Sequence, residues 1–218
     1  MVRLMVSCLL FSGVILAAAK PHVVSFGKWT PVKVFSGSDG SKINDMKVRP
    51  LYVDARMKEF TFGSAHEITE HLFVVRRIVR VNDSLPQEAA AIPRWAWQPA
   101  GWLEVDRVSG RVSGVSLPGF DPESSSASWY RDYVAYCGIS DDEKKTIAVV
   151  MQLGQRKPVL KKSLGEASGD AGAADCAEPV WQRQPARVMF VARPDQKLTF
   201  SVRSRAVEAA SEEDEGTE

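Results

Sequence analysis

The sequence has few of the residues on which most catalytic and metal sites depend, and it lacks the common cofactor fingerprints. Its 218 residues include only 3 cysteines and 3 histidines. It contains no C-x-x-C pair, P-loop, EF-hand loop, G-x-S-x-G elbow or G-x-G-x-x-G turn. The sites that these motifs build are therefore excluded in their standard forms, and we predict no cofactor.

An excess of charge of one sign is also missing. Lys and Arg number 28 against 27 Asp and Glu, which gives a formal net charge of +1. A nearly neutral chain has no long-range field to attract a polyanion, so nucleic acid is not an expected partner. No segment of 20–50 residues recurs three times, which excludes a solenoid array.

The N-terminal residues have the pattern of a secretory signal peptide. Arg3 provides a positive n-region, residues 4–16 form an apolar h-region, and the small residues Ala17–Ala19 precede Lys20. The alternative is an uncleaved anchor, but residues 4–19 are shorter than the ~20 residues that span a bilayer core. We predict removal of residues 1–19 and a mature chain without a membrane span, exported to a periplasmic or extracellular compartment.

Removal of that segment leaves two cysteines, Cys137 and Cys176. In an oxidising compartment such a pair is more often bonded than free, and we predict a disulfide. The alternative is two free thiols, with Cys137 acting as a small buried hydrophobic residue in a strand. A catalytic cysteine is not expected, because neither residue has a nearby histidine or a nucleophile motif.

The charged residues divide the mature chain into a basic body and an acidic tail. Residues 208–218 contain six acids and no base, whereas residues 20–207 contain 27 bases and 21 acids, a surplus of +6. Like-charged runs of this kind are typical of disordered ends. We predict a single domain over 20–207, with a flexible Ala/Gly-rich loop near 163–178 and a disordered tail over 208–218.

Between these ends, alternating apolar residues and turn residues are typical of an antiparallel β protein. We predict an all-β, mostly antiparallel sandwich or barrel-like domain built from hairpins, with partial propeller-like blades as the alternative. Helical patterning is limited to a capping box at Ser64 and Glu67, which predicts a turn over 64–70, and to residues 88–91. The predicted strands cover residues 33–35, 48–53, 72–81, 102–106, 111–115, 130–139, 146–153, 188–191 and 198–202.

The segment HEITEH places potential metal ligands close together. His66 and His71 are five residues apart, whereas the zinc-protease helix needs histidines four apart so that both face one metal. One hypothesis is a metal site built from His66, Glu70 and His71 with a distant carboxylate. We favour the simpler interpretation, a polar turn that precedes a buried strand.

Glu104 and Asp106 are the clearest acid pair on a predicted strand. Alternate residues of a strand lie on one face, about 7 Å apart by strand rise, a spacing that a glycosidase can use. Acids beside a hairpin turn are nevertheless common on protein surfaces, so we assign no catalytic residue.

The tryptophans are the strongest binding feature. Trp95 and Trp97 fall on one face of a strand, a turn follows at residues 99–101, and Trp102 begins the next run. Indole rings bind sugars and partner pockets, and Arg94 is a neighbouring cation. Core or rim packing of the three rings is the favoured interpretation, because large aromatics commonly cover β hairpins. The alternative is a ligand or partner surface, whose candidate residues are Trp95, Trp97, Trp102 and Arg94.

Two functions are compatible with these patterns. We favour a non-catalytic exported β domain that binds a protein, an envelope component or a glycan through the tryptophans. The alternative is a secreted hydrolase of unrecognised type, with or without a metal ion, that uses HEITEH or the Glu104/Asp106 pair.

Overall fold

A computed structural model describes residues 20–36, 42–82, 95–167, 176–193 and 196–202. The predictions for the signal peptide, the turn at 88–91, Arg94 and the acidic tail fall on residues outside these ranges. Within them every regular element is a strand, as predicted. The strands are β1 Val24–Phe26, β2 Thr30–Ser36, β3 Lys42–Val53, β4 Arg56–Glu67, β5 Leu72–Asn82, β6 Trp95–Asp106, β7 Val112–Val115, β8 Ala127–Tyr130, β9 Tyr133–Ile139, β10 Lys145–Gln152, β11 Leu160–Glu166, β12 Val180–Arg183, β13 Ala186–Arg193 and β14 Gln196–Ser201.

The predicted helical turn over 64–70 is wrong. The chain continues as β4 to Glu67, and His66 and Glu67 pair with Val74 and Phe73 of β5. A tight turn then follows, in which Ile68 N donates to the Leu72 carbonyl at 2.9 Å. The long ladder between β4 and β5 outweighs the local capping box, because a helical turn here would break it.

The prediction of a flexible loop near 163–178 is wrong for its first residues, and residues 168–175 lie outside the described ranges. Residues 163–166 are the end of β11, which pairs with β10 through contacts such as Ile147↔Ser163 and Lys145↔Glu166. The Leu164 side chain is buried there, so the segment contributes to the core although its composition is typical of a linker.

The first sheet curls into a barrel-like closure. Its strand order is β1-β3-β2-β6-β5-β4, with β7 on the free side of β6 and an additional pairing between β3 and β4. The pairings β3–β2, β2–β6, β6–β5, β5–β4 and β4–β3 thus form a ring. In the described residues the β2–β6 contact is the parallel one, at Val34↔Trp97, and the other pairings are antiparallel.

Strand β5 supplies apolar side chains to both faces of this sheet, because successive residues of a strand point to opposite sides. Phe73 and Val75 belong to a cluster with Leu51, and Ile78 belongs to a separate cluster with Phe62. Both faces of the sheet are therefore covered, which explains why β5 reads as an almost continuous apolar run.

Two smaller sheets form a sandwich. The order β11-β10-β9-β8 gives one of them, and β12-β13-β14 gives the other. Ala148 and Val150 of β10 pack with Val188 and Phe190 of β13, and the disulfide between Cys137 and Cys176 lies at this interface. The predicted disulfide is confirmed.

The opposite face of β9 and β10 turns toward the first sheet. Trp129 of β8 packs edge-on against Trp102 of β6, with ring centroids 5.4 Å apart. Arg76 Nη2 donates to the Pro122 carbonyl at 3.0 Å, which ties β5 to the segment before β8. Among the described residues there is no helix long and apolar enough to cross a membrane.

Candidate functional site

Trp95 and Trp97 lie on one face near the start of β6, where the barrel opens to solvent. Trp95 is 56% exposed. It pairs with Asn82 of β5, and Trp97 pairs with Arg80. Directly opposed residues of an antiparallel pair share a face, so the two indoles, the amide and the guanidinium lie together.

The Arg80 guanidinium lies between the two indoles. Its Cζ atom is 5.3 Å from the Trp95 ring centroid and 5.6 Å from that of Trp97, within the range of cation–π contact. Trp97 also contacts Phe60 edge-on at 5.0 Å and joins the apolar cluster inside the barrel. Trp97 therefore anchors the group, whereas Trp95 presents its ring to solvent. We call Trp95, Trp97, Arg80 and Asn82 the Trp95 surface.

Trp102 lies apart from this group. A bulge at Gly101, whose φ is +79°, shifts the β5–β6 register between Ile78↔Pro99 and Arg76↔Trp102. Trp102 is only 7% exposed and packs against Trp129. The structure thus brings together two of the three sequence-predicted tryptophans and places the third beneath another sheet. Arg94 lies outside the described residues; within them, Arg80 is the cation that contacts Trp95 and Trp97.

A second exposed indole was not identified from the sequence. Trp29, in the connection between β1 and β2, is 45% exposed and lies 4.3 Å from Arg49 Cζ. The same guanidinium covers the Phe26 ring at 3.7 Å. No local pattern predicts this contact, because it depends on the pairing of β1 with the distant end of β3.

The potential metal ligands of HEITEH have different partners. His66 Nε2 donates to the Arg131 carbonyl at 2.8 Å, and its ring stacks on Trp129. His71 Nε2 contacts Glu70 Oε1 at 2.9 Å on the surface. In the described ranges no group of three or more His, Cys, Asp or Glu side chains is arranged to hold a metal ion.

Glu67 of the same segment forms a two-point ion pair with Arg107. Arg107 Nη1 and Nη2 donate to the two carboxylate oxygens at 2.8 and 2.9 Å, and Nη1 also donates to the Glu70 carbonyl at 3.0 Å. The guanidinium covers the Phe73 ring at 4.5 Å. These hydrogen bonds hold the pKa of Glu67 below its ordinary value of 4.5. The pair fastens the β4–β5 turn to β6.

We predict that Glu67→Gln destabilises the protein by about 0.5 kcal/mol at pH 7, the order expected for an exposed ion pair. Because the folded-state pKa is lowered, the stabilisation is present above pH 4.5 and is lost as the pH falls through that lowered value. Urea unfolding at pH 7 and at acid pH measures this difference. Glu70→Gln is the control, since Arg107 contacts only the Glu70 backbone carbonyl; an equal, pH-independent loss in both variants would contradict the assignment.

Glu104 and Asp106 have different surroundings. Asp106 accepts hydrogen bonds from Val108 N at 2.8 Å and from Ser109 Oγ at 2.7 Å, and these bonds lower its pKa. It therefore closes the β6–β7 turn. Glu104 instead lines two adjoining grooves of about 510 and 700 Å³ between the sheets, beside Arg111 and Arg131. Of these two carboxylates, Glu104 lines the two grooves and Asp106 does not.

Comparison with known proteins does not place this chain in a family. No protein-family model, no curated protein and no solved structure matches the chain.

Proposed function

We propose that this protein is an exported, non-catalytic β domain that binds a glycan through the Trp95 surface. The observation that carries the proposal is Trp95 itself, a 56% exposed indole whose neighbour Arg80 is held against it and against Trp97. Leaving a large aromatic ring in water is unfavourable, and an ordered exposed ring is typical of a binding surface.

The chemistry of the surface favours a sugar. A flat indole face packs on the apolar C–H face of a pyranose, and the adjacent guanidinium and amide donate to hydroxyl groups. Arg80 and Asn82 are exposed and opposite the indoles, so both polar side chains lie beside the ring. Because Trp97 packs on Phe60, its orientation is set before any ligand binds, which lowers the entropic cost of binding.

The disulfide supports export. Bonds of this kind persist in oxidising compartments and are rare in the cytosol. Together with the n-region, h-region and Ala17–Ala19 of the N-terminal sequence, the Cys137–Cys176 bond favours a periplasmic or extracellular site of action. Complex glycans are abundant in those compartments, which fits the chemistry of the Trp95 surface.

Isothermal titration of the mature protein with chitotetraose, cellotetraose and maltotetraose tests the proposal. We expect saturable binding of at least one tetrasaccharide. Trp95→Ala is expected to weaken it about thirtyfold, because removing a central aromatic residue typically costs about 2 kcal/mol of binding energy. The thermal midpoint of the variant should change little, since most of the Trp95 ring is exposed.

Trp29→Ala is the matched control, because Trp29 is similarly exposed and also lies against an arginine. It should leave the affinity unchanged. The absence of binding for all three sugars, or an equal loss in both variants, would overturn the proposal.

A further inference from the structure

A small open cavity lies further along the same face of β5 as the Trp95 surface, at the edge of the first sheet. Its volume is about 190 Å³, and its polar lining includes Ser64, Arg76, Ser126 and Glu178, with Trp102 as an aromatic wall. It is formed by β4, β5 and β6 of the first sheet, the start of β8 and the segment that precedes β12. Three separate parts of the fold thus place polar side chains around one space.

Arg76 is the positive group of this cavity. Its guanidinium lies 4.7 Å from the Phe62 ring and 5.9 Å from the Trp102 ring, and Nη2 donates to the Pro122 carbonyl at 3.0 Å. Among the described residues, Nε is buried without a hydrogen-bond partner, and Arg76 forms no ion pair with a carboxylate. Burial lowers the pKa of Arg76. Arg76 is only partly buried, but none of its described contacts is a direct ion pair, so a closer anion would stabilise its charge.

Glu178 supplies the negative group. It is exposed and lines the same cavity, close enough for its charge to raise the pKa of Arg76 but without a direct ion pair. The cavity therefore holds a cation on its inner wall and an anion at its outer edge. Glu178 follows Cys176 by two residues, so the disulfide to Cys137 fixes the segment that carries this carboxylate.

We propose that this cavity binds a small zwitterion, a free amino acid whose carboxylate pairs with Arg76 and whose ammonium group pairs with Glu178. The hydroxyls of Ser64 and Ser126 are the neighbouring hydrogen-bonding groups. The cavity has space for about six water molecules at ~30 Å³ each, which suits glycine or alanine rather than a peptide. The proposal does not depend on the Trp95 surface, because the two sites share no residue.

The indole N–H of Trp102 provides a direct reporter. It is buried and has no hydrogen-bond partner among the described residues, so its NMR frequency should respond to a charge that enters the cavity. We would titrate protein labelled with ¹⁵N at tryptophan with glycine, acetate and ethylamine, and assign the signal with Trp102→Phe. We expect a saturable shift with glycine, at least tenfold weaker binding of acetate, and no shift with ethylamine.

Glu178→Gln tests the pairing of the ammonium group separately from the pairing of the carboxylate. Removing this carboxylate should weaken glycine about tenfold, because the partner of the ammonium group is lost. The same variant should bind acetate more tightly than the wild type, because repulsion between carboxylates is removed. Glu166→Gln, which alters an exposed carboxylate outside the cavity, is the control and should change neither affinity.

Arg76→Gln should abolish the saturable shift for both ligands. Arg76→Lys retains the positive charge, so it should keep part of the response to glycine. This second variant tests the proposal even if Arg76→Gln fails to fold. The absence of a saturable Trp102 shift with glycine in the wild-type protein would overturn the proposal. A Glu178→Gln variant that changes glycine and acetate in the same direction would overturn it as well.

Discussion

Replacing both Cys137 and Cys176 by alanine is expected to lower the free energy of unfolding by about 3–4 kcal/mol. The bond closes a loop across a sequence separation of 39 residues, so its removal restores much conformational freedom to the unfolded chain. Cys137 is only 2% exposed and belongs to the cluster that joins β10 to β13. Removal of the bond is therefore expected to weaken the packing between the two smaller sheets.

Urea unfolding of the double variant and of the wild type, each with and without reductant, measures this effect. Reductant should lower the stability of the wild type by a similar amount and leave the double variant unchanged. A loss below about 1 kcal/mol in the double variant would show that the bond constrains the unfolded chain far less than its loop length predicts.

Gly119→Ala is expected to cost about 3 kcal/mol or more, through two additive effects. The residue has a φ of +69°, where a side chain costs about 1–2 kcal/mol. An added Cβ atom would also approach the Ile139 carbonyl oxygen far inside normal contact distance. Relief of this contact requires the backbone to move, which would disrupt the hydrogen bond from Ile139 N to the Gly119 carbonyl at 2.9 Å.

Two other glycines separate these effects. Gly101 has a φ of +79° but open space around its Cβ position, and Gly114 has open space and an ordinary φ. The expected loss of unfolding free energy therefore decreases from Gly119→Ala to Gly101→Ala to Gly114→Ala, with the last close to zero. Equal losses in the first two variants would show that the close approach to Ile139 contributes nothing.

Most of the strands could be predicted, because the apolar and turn patterns that indicate them lie within short segments of the sequence. The apolar runs of β5 and β10 reflect burial on both faces, which for β10 is more than the one-sided alternation of residues 147, 149 and 151 predicts, and turn residues separate the hairpins. The capping-box pattern at Ser64 and Glu67 is also local, but it predicted the wrong structure, because pairing with β5 holds these residues in a strand. Asp106 and Ser109, by contrast, already have the spacing of a side-chain-capped turn, which argues from sequence against a free carboxylate at position 106.

Which residues form each candidate site depends on contacts between parts of the chain that are far apart in sequence. Strand periodicity predicts that Trp95 and Trp97 share a face. The position of Arg80 between them is set by the register of the β5–β6 pairing. Trp102 was separated from the other two indoles by one bulge, which the sequence marks only with Gly101. The cavity of Arg76 and Glu178 needs three parts of the chain and a disulfide, and no local pattern predicts it.

The most direct test of glycan binding at the Trp95 surface is the indole N–H spectrum of residues 20–218, to which each of the 6 tryptophans contributes one signal. Titration with the three tetrasaccharides should shift the signals of Trp95 and Trp97 with at least one sugar and leave those of Trp29, Trp129 and Trp181 in place. If no sugar moves the Trp95 signal, or if Trp29 moves instead, the central claim is contradicted.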